Sequence, residues 1–243
     1  MSGKQKKILR IDASMRKAKS VSRRLADELI LALDGQGHDV DVTIRDLTCG
    51  IGLVNEAWIL SARTVEERRT QEQRVLLAQS DALVSELQEA DDIVIAVPIY
   101  NFSVPAAFKA WIDLVCRNGI TFAYENGESR GLLSGKRAFV IVTSGGTHGG
   151  SRSDFSTGYI KHVLNFIGID DVTLIDATGS SQNRHKVISN ASEAITKIAK
   201  AEAIAATKDT NLDAGHDGGH DAGHNGEQDT GQDNDSRDLS AAE

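Results

Sequence analysis

Asp92-Ile93-Val94-Ile95-Ala96-Val97-Pro98-Ile99-Tyr100-Asn101-Phe102 is the stretch on which the reading of the whole chain turns. From Asp92 to Val97 it is almost wholly apolar, the pattern of a strand buried on both faces. Ser103-Val104-Pro105 follows and reads as the opening of a helix. A strand therefore runs straight into an aromatic loop. In open α/β sheets ligands bind beyond the carboxyl ends of the strands, which places Tyr100, Asn101 and Phe102 at a ligand crevice. A ring, an amide and a second ring offer stacking and hydrogen bonding together, which suits a flat heterocycle better than a sugar or a metal. The segment Val97 to Phe102 also fits an ordinary strand-to-helix turn whose rings close the core.

Upstream, Lys7 to Ile11 reads as a first strand feeding a serine-rich loop and then a helix, with Ser20 or Ser22 as its cap and Leu25, Leu29 and Leu33 along one face. Hydroxyls of Ser14, Ser20 and Ser22 meet free backbone N–H groups at the helix start, an arrangement that binds phosphate. Plain capping explains the same serines, and neither a Walker pattern nor G-x-G-x-x-G is present. After a turn at Gly35 to His38, Asp39 to Leu47 alternates like an edge strand. A short helix carrying Trp58 is expected from Asn55 to Ser61. A long one is expected from Thr70 to Ala90, with Leu76, Leu83, Val84 and Leu87 on a common face.

Downstream, Phe108, Trp111, Ile112 and Val115 fall at helical spacing behind Pro105, which is expected in the first turn. Such a stripe suits the core or a subunit interface. Asn118 to Gly135 is a long glycine-containing connection bearing Phe122 and Tyr124, which hints at a lid or interface segment. Arg137 to Thr143 reads as a fourth strand. It ends in Ser144-Gly145-Gly146-Thr147-His148-Gly149-Gly150, where glycines let the backbone approach a ligand closely. His148 suits either a catalytic acid or an exposed loop histidine. Tyr159, Val163, Phe166 and Ile167 mark a helix, Val172 to Asp176 a fifth strand, and Val187, Ala191, Ile195 and Ile198 a final helix.

Five strands alternating with helices predict a doubly wound parallel sheet in the flavodoxin-like order 2-1-3-4-5. That order brings the loops after strands one, three and four to one crevice, and their combination points to a flavin.

The chain has 243 residues and 2 Cys, too few for a disulfide framework, and no apolar run long enough to span a bilayer. A cytoplasmic protein is expected. From Lys208 onward there are 2 basic and 10 acidic residues, which carry the whole formal charge of -8; the first 207 residues hold 25 of each. A neutral body offers nucleic acid no basic field. The expected division is a domain over 1–207 and a disordered tail over 208–243, rich in Asp, Gly and His. Its repeats Gly215-His216-Asp217, Gly219-His220-Asp221 and Gly223-His224-Asn225 suit a solvated acidic tail or weak chelation of a transition metal.

Over residues 7–200 the chain resembles the FMN-dependent NADH-azoreductases, a flavodoxin-like family that also reduces quinones. The resemblance rests on Ser14 with Ser20-Val21-Ser22, Pro98-Ile99-Tyr100-Asn101-Phe102, Lys109-Ala110-Trp111-Ile112-Asp113, Gly119-Ile120-Thr121-Phe122, Gly131-Leu132-Leu133-Ser134-Gly135-Lys136 and Thr143-Ser144-Gly145-Gly146. It implies that Ser14, Ser20, Val21 and Ser22 hold the phosphate of tightly bound FMN. It also implies that Ile99, Tyr100, Asn101, Phe102, Ser144, Gly145 and Gly146 hold the isoalloxazine. Two departures stand out: Ile99 replaces a frequent Met, and Ser144-Gly145-Gly146-Thr147 replaces Ser-Arg-Gly-Gly. The resemblance further implies NADH or NADPH as donor, a ping-pong cycle, quinone or aromatic azo acceptors, and a homodimer with its active site at the interface. The flavin carries the chemistry, so no catalytic side chain is required. A flavin-binding electron carrier or redox-sensing module without NAD(P)H turnover is the alternative.

Overall fold

The computed structural model describes residues 5–35 and 39–213, with side chains as far as residue 205. Its elements in chain order are β1 (Lys6–Asp12), α1 (Val21–Asp34), β2 (Val40–Asp46), α2 (Glu56–Arg63), α3 (Gln71–Glu89), β3 (Asp92–Pro98) and α4 (Ala106–Val115). There follow β4 (Phe122–Glu125), β5 (Glu128–Gly131), β6 (Arg137–Thr143), α5 (Thr157–Phe166), β7 (Asp171–Ala177) and α6 (Arg184–Asp213). Five strands pair in parallel in the order β2-β1-β3-β6-β7, so the sheet's own strands run 2-1-3-4-5 as expected. Contacts divide the chain into two units, Met1–Ala206 and Thr207–Glu243, and the sheet belongs to the first.

The period of two along each strand sends alternate residues to opposite faces. Leu9, Ile11, Ile93, Ile95 and Val97 pack with Leu83 and Leu87 of α3, Phe108 and Trp111 of α4, and Ile160 of α5. Ile8, Val94, Ala96, Phe139 and Ile141 pack with Leu25, Leu29 and Leu33 of α1 and with Ala191 and Ile195 of α6. Helices thus cover both faces, and every residue of central β3 is buried, whereas Asp41, Thr43 and Ile44 of edge strand β2 are exposed. Each large apolar side chain withdrawn in this way contributes about 1.5–3 kcal/mol.

Several expectations are refined. Leu77, not Leu76, joins the buried face of α3. Both positions lie within its apolar arc at 3.6 residues per turn, so periodicity alone does not separate them. Trp111 is core, stacked on Phe108 with ring centroids 5.4 Å apart, so this ring is unavailable to a partner. Pro105 stands at the N-cap of α4, one residue before the first turn. The connection from Asn118 to Gly135 contains the antiparallel hairpin β4–β5, joined by Asn126 and Gly127, both at positive φ. Helix α6 runs through the alanine-rich stretch 199–208, which sustains a helix, and ends at Asp213, past the expected boundary at 208. The His/Asp repeats and His38 lie outside the described residues.

At the amino ends of the strands an ionic cluster ties β1, β3, β6 and α6 together. The Asp92 side chain is 2% exposed and accepts from Lys6 Nζ at 2.8 Å and Arg137 Nη2 at 2.8 Å. Arg137 Nη1 donates to Glu202 Oε1 at 2.6 Å. A buried carboxylate is tolerated only when paired in this way.

Candidate cofactor site

Beyond the carboxyl ends of β1, β3 and β6 lies a crevice with two adjoining lobes of ≈ 320 and ≈ 350 Å³, which share Ile99, Ser144 and Gly145. Ser14, Ser20, Val21 and Tyr100 line the first lobe; Asn101, Phe102 and Gly146 line the second. Ten of the eleven residues expected at a flavin therefore meet at one crevice. The eleventh, Ser22, is buried beneath it with its Oγ 3.2 Å from Ser20 Oγ.

The first lobe is built on the start of α1. Ser20 is the N-cap, and its Oγ accepts from Arg23 N–H at 3.4 Å. Among the described residues the N–H groups of Val21 and Ser22 donate to nothing, as first-turn geometry dictates. Below them Arg23 Nη2 donates to Ser14 O at 2.9 Å and to Asp46 Oδ1 at 2.6 Å, while Arg23 Nη1 reaches Asp12 Oδ2 at 3.0 Å. Arg10 Nε donates to Asp12 Oδ1 at 3.0 Å from the other side, and its Nη1 reaches Asp27. A buried ionic lattice thus fixes the carbonyl of Ser14. The Arg23 guanidinium, by its hydrogen bond, holds the Asp46 carboxyl well below the usual carboxylate range.

The second lobe is shaped by a tight turn. Tyr100 N–H donates to Ser103 O at 2.9 Å and Ser103 N–H returns to Tyr100 O at 3.1 Å. Between them Asn101 has φ 48° and Phe102 φ 74°, the left-handed values of a type I′ turn. Asn tolerates that region; for Phe it costs about 1–2 kcal/mol. Strain of this kind is kept at functional sites, and here it presents the Phe102 ring, 56% exposed. Tyr100 Oη accepts from Met15 N–H at 3.3 Å and so links this turn to the serine loop.

Across the crevice a Cβ built on Gly145 or Gly146 would meet no protein atom within 4 Å, so these glycines leave room rather than relieve a clash. Among the described residues the N–H groups of Asn101, Phe102, Gly145 and Gly146 have no hydrogen-bond partner. Four unpartnered backbone donors around one lobe fit the polar edge of a heterocycle, and the hydroxyls and amides of the first lobe fit a phosphate. His148 is exposed and lines a separate depression with Asp176 and Thr178, away from both lobes.

Sequence reasoning missed Arg16, Lys19, Ser180 and Arg184, which also line the first lobe. A signal for the last two existed: the order 2-1-3-4-5 seats the fifth strand beside the fourth, so the loop after β7 must border the glycine loop.

Fold and site together define a flavodoxin-like protein whose crevice offers donors that fit a phosphorylated planar cofactor. A family model described as flavodoxin-like fold matches residues 6–200. A protein of Colwellia psychrerythraea named FMN-dependent NADH:quinone oxidoreductase 1 is 50% identical over 191 residues, 79% of this chain and 99% of that protein. Its namesake from Jannaschia sp. is 54% identical over 170 residues, 70% of this chain and 86% of that one. The chain belongs to this family of flavodoxin-like FMN-dependent NADH:quinone oxidoreductases. Among solved structures, an FMN-dependent NADH-azoreductase of Bacillus anthracis in complex with FMN superposes with a TM-score of 0.73. It covers 82% of this chain and all of its own at 23% identity, a likeness of fold.

Proposed function

We propose that this chain binds FMN and uses NADH or NADPH to reduce quinones by two electrons and aromatic azo compounds to amines, in a ping-pong cycle. The observation that supports it best is the convergence of the Ser14–Ser22, Ile99–Phe102 and Ser144–Gly146 loops on one crevice at the sheet's switch point. Relatives named for FMN and NADH:quinone oxidoreduction, at up to 54% identity, agree with it.

FMN, when bound, would supply the two-electron redox chemistry between the nicotinamide donor and the acceptor. The chain's own groups bind, orient and tune. Ser14, Ser20 and the N–H groups of Val21 and Ser22 would hold the phosphate, supported by the start of α1. Ile99 would pack on the ring as an apolar floor. The N–H groups of Asn101, Phe102, Gly145 and Gly146 would donate to the ring's polar edge and favour the negative charge it gains on reduction. Exposed Phe102 would stack on whichever flat partner enters, first the nicotinamide and then the acceptor. One face serving both partners in turn is the physical basis of ping-pong kinetics.

We further propose a homodimer, supported by the exposed apolar side chains Ile59 and Leu60 of α2, Val75 and Leu76 of α3, and Tyr124 of the hairpin. No helix among the described residues is long and apolar enough to cross a membrane. The test of function is the visible spectrum of the FMN-loaded protein under anaerobic conditions. Bleaching by NADH or NADPH, followed by recovery on adding a quinone, supports the reading. Bound flavin that neither donor bleaches refutes enzymatic turnover in favour of an electron carrier, and a protein that binds no FMN refutes the site.

A further inference from the structure

The turn that follows β7 enters the cofactor site although none of the three expected loops contains it. Ser180 N–H donates to Ser144 O at 3.1 Å and Ser180 Oγ to the same oxygen at 2.7 Å. Gly179 N–H donates to Ser144 Oγ at 3.0 Å, and Ser181 N–H to Gly145 O at 2.9 Å. Ser144 and Gly145 thus spend their acceptors on this turn, while the N–H groups of Gly145 and Gly146 remain unpartnered among the described residues. The turn then becomes α6, whose first residue, Arg184, lines the phosphate lobe with Ser14, Arg16, Lys19 and Ser20. Among the described residues neither Arg184, Arg16 nor Lys19 makes a salt bridge, whereas Arg10, Arg23, Arg45, Arg117 and Arg137 are all paired with carboxylates.

We infer that the 178–184 turn is a fourth element of the FMN site, in which Arg184 supplies the cation that selects the phosphorylated flavin over riboflavin. This rests on the FMN reading above. The serine loop offers hydroxyls, amides and, unpaired among the described residues, Arg16 and Lys19, all from the α1 side; its hydroxyls and amides alone would satisfy neutral ribityl groups nearly as well as phosphate. An unpaired guanidinium distinguishes them, because it gains Coulomb energy only from the dianion and can grip two of its oxygens at once. Arg184 comes from the far edge of the crevice relative to α1, so phosphate would be held from two sides. The same turn clamps the glycine loop, so phosphate engagement at Arg184 and the placement of the ring donors share one short covalent segment.

The test uses flavin-free wild type and the variants R184Q, R184K and R24Q, titrated separately with FMN and riboflavin by the quenching of flavin fluorescence. Arg24 lies with Arg184 on an outer groove and does not line the phosphate lobe, so R24Q controls for general loss of positive field. R184Q should weaken FMN about fivefold while leaving riboflavin within twofold, as expected for one partly exposed ion pair. R184K should recover part of the loss, R24Q should change little, and the R184Q effect should shrink in about 0.5 M salt. Unchanged FMN affinity in R184Q overturns the inference. Equal losses for FMN and riboflavin also overturn it, since they would mean that Arg184 merely supports the clamp on the glycine loop. Wild type that binds neither flavin would overturn the FMN reading instead, and so the two failures are distinct.

Discussion

Replacing Phe102 by glycine separates stability from binding at the Tyr100–Ser103 turn. At φ 74° a residue with a Cβ costs about 1–2 kcal/mol more than glycine. Glycine returns about 0.5–1 kcal/mol of that through the greater freedom of its unfolded chain. The Phe102 ring is 56% exposed and gives the flavin-free fold little packing to lose. The flavin-free F102G protein should therefore be more stable than wild type by about 0.5–1 kcal/mol, a rise in Tm of about 1–4 °C for a domain of this size. The same change removes the ring proposed to stack on the incoming nicotinamide and acceptor, worth about 0.5–1.5 kcal/mol, and should raise the KM for each roughly two- to twelvefold. Thermal melts of the flavin-free forms by circular dichroism, with steady-state kinetics of the FMN-loaded forms at 25 °C, measure both quantities. A flavin-free variant that melts below wild type would show that the turn is unstrained or the ring is structural. Unchanged KM values for both donor and acceptor would remove the Phe102 ring from the site.

Other outcomes follow from the lattice, the thiols and the hairpin. The Asp46 carboxyl is held down by Arg23, so its stabilisation is present above the unfolded value of about 4 and is lost as pH falls through the folded one. D46N should accordingly flatten the fall in stability below about pH 4, and an acid-unfolding curve that superposes on wild type would contradict this. R23Q leaves Asp12 buried with one cation fewer and should cost about 2–4 kcal/mol by urea unfolding, with weaker FMN binding as the Ser14 carbonyl is released. Burial pushes the Cys116 thiol up to about 11, whereas Cys49 is exposed. At pH 8 a disulfide reagent should therefore label Cys49 quickly and Cys116 only on unfolding, as mass spectrometry of the folded protein would reveal. Gly131 of β5 abuts the chain after α5, where a Cβ would sit 2.0 Å from Gly168 N; Gly131→Ala must displace backbone and should cost about 3 kcal/mol in chemical denaturation.

The sheet order was legible because Ile93 to Val97 and Ala138 to Val142 are apolar without interruption and because connectivity rules leave few ways to arrange five such strands. The loop assignments followed from that order together with the family motifs. What escaped had weak local signal. Glu125-Asn126-Gly127-Glu128 is a good hairpin turn, but its strands are four residues each and mostly exposed, so they show no burial period. Leu76 and Leu77 share an arc that only the neighbouring helices divide. Arg184 carries no motif; it matters because β7 lies beside β6, which is a property of the assembled sheet and not of its own neighbourhood in sequence. His148 stands out by residue type alone, and it lines a depression with Asp176 and Thr178 instead of the crevice.

The cluster around Asp92 also orders events in time. It joins Lys6 near the beginning of the chain, Asp92 and Arg137 in the middle, and Glu202 close to the end of the last helix. During synthesis the strands that carry Lys6, Asp92 and Arg137 emerge before the carboxylate that balances Arg137. The sheet can pair earlier, but its amino edge holds an excess of cation until α6 leaves the ribosome and docks. Completion of this edge thus awaits the docking of α6, whose Ala191 and Ile195 close the core at the same time as Glu202 closes the cluster.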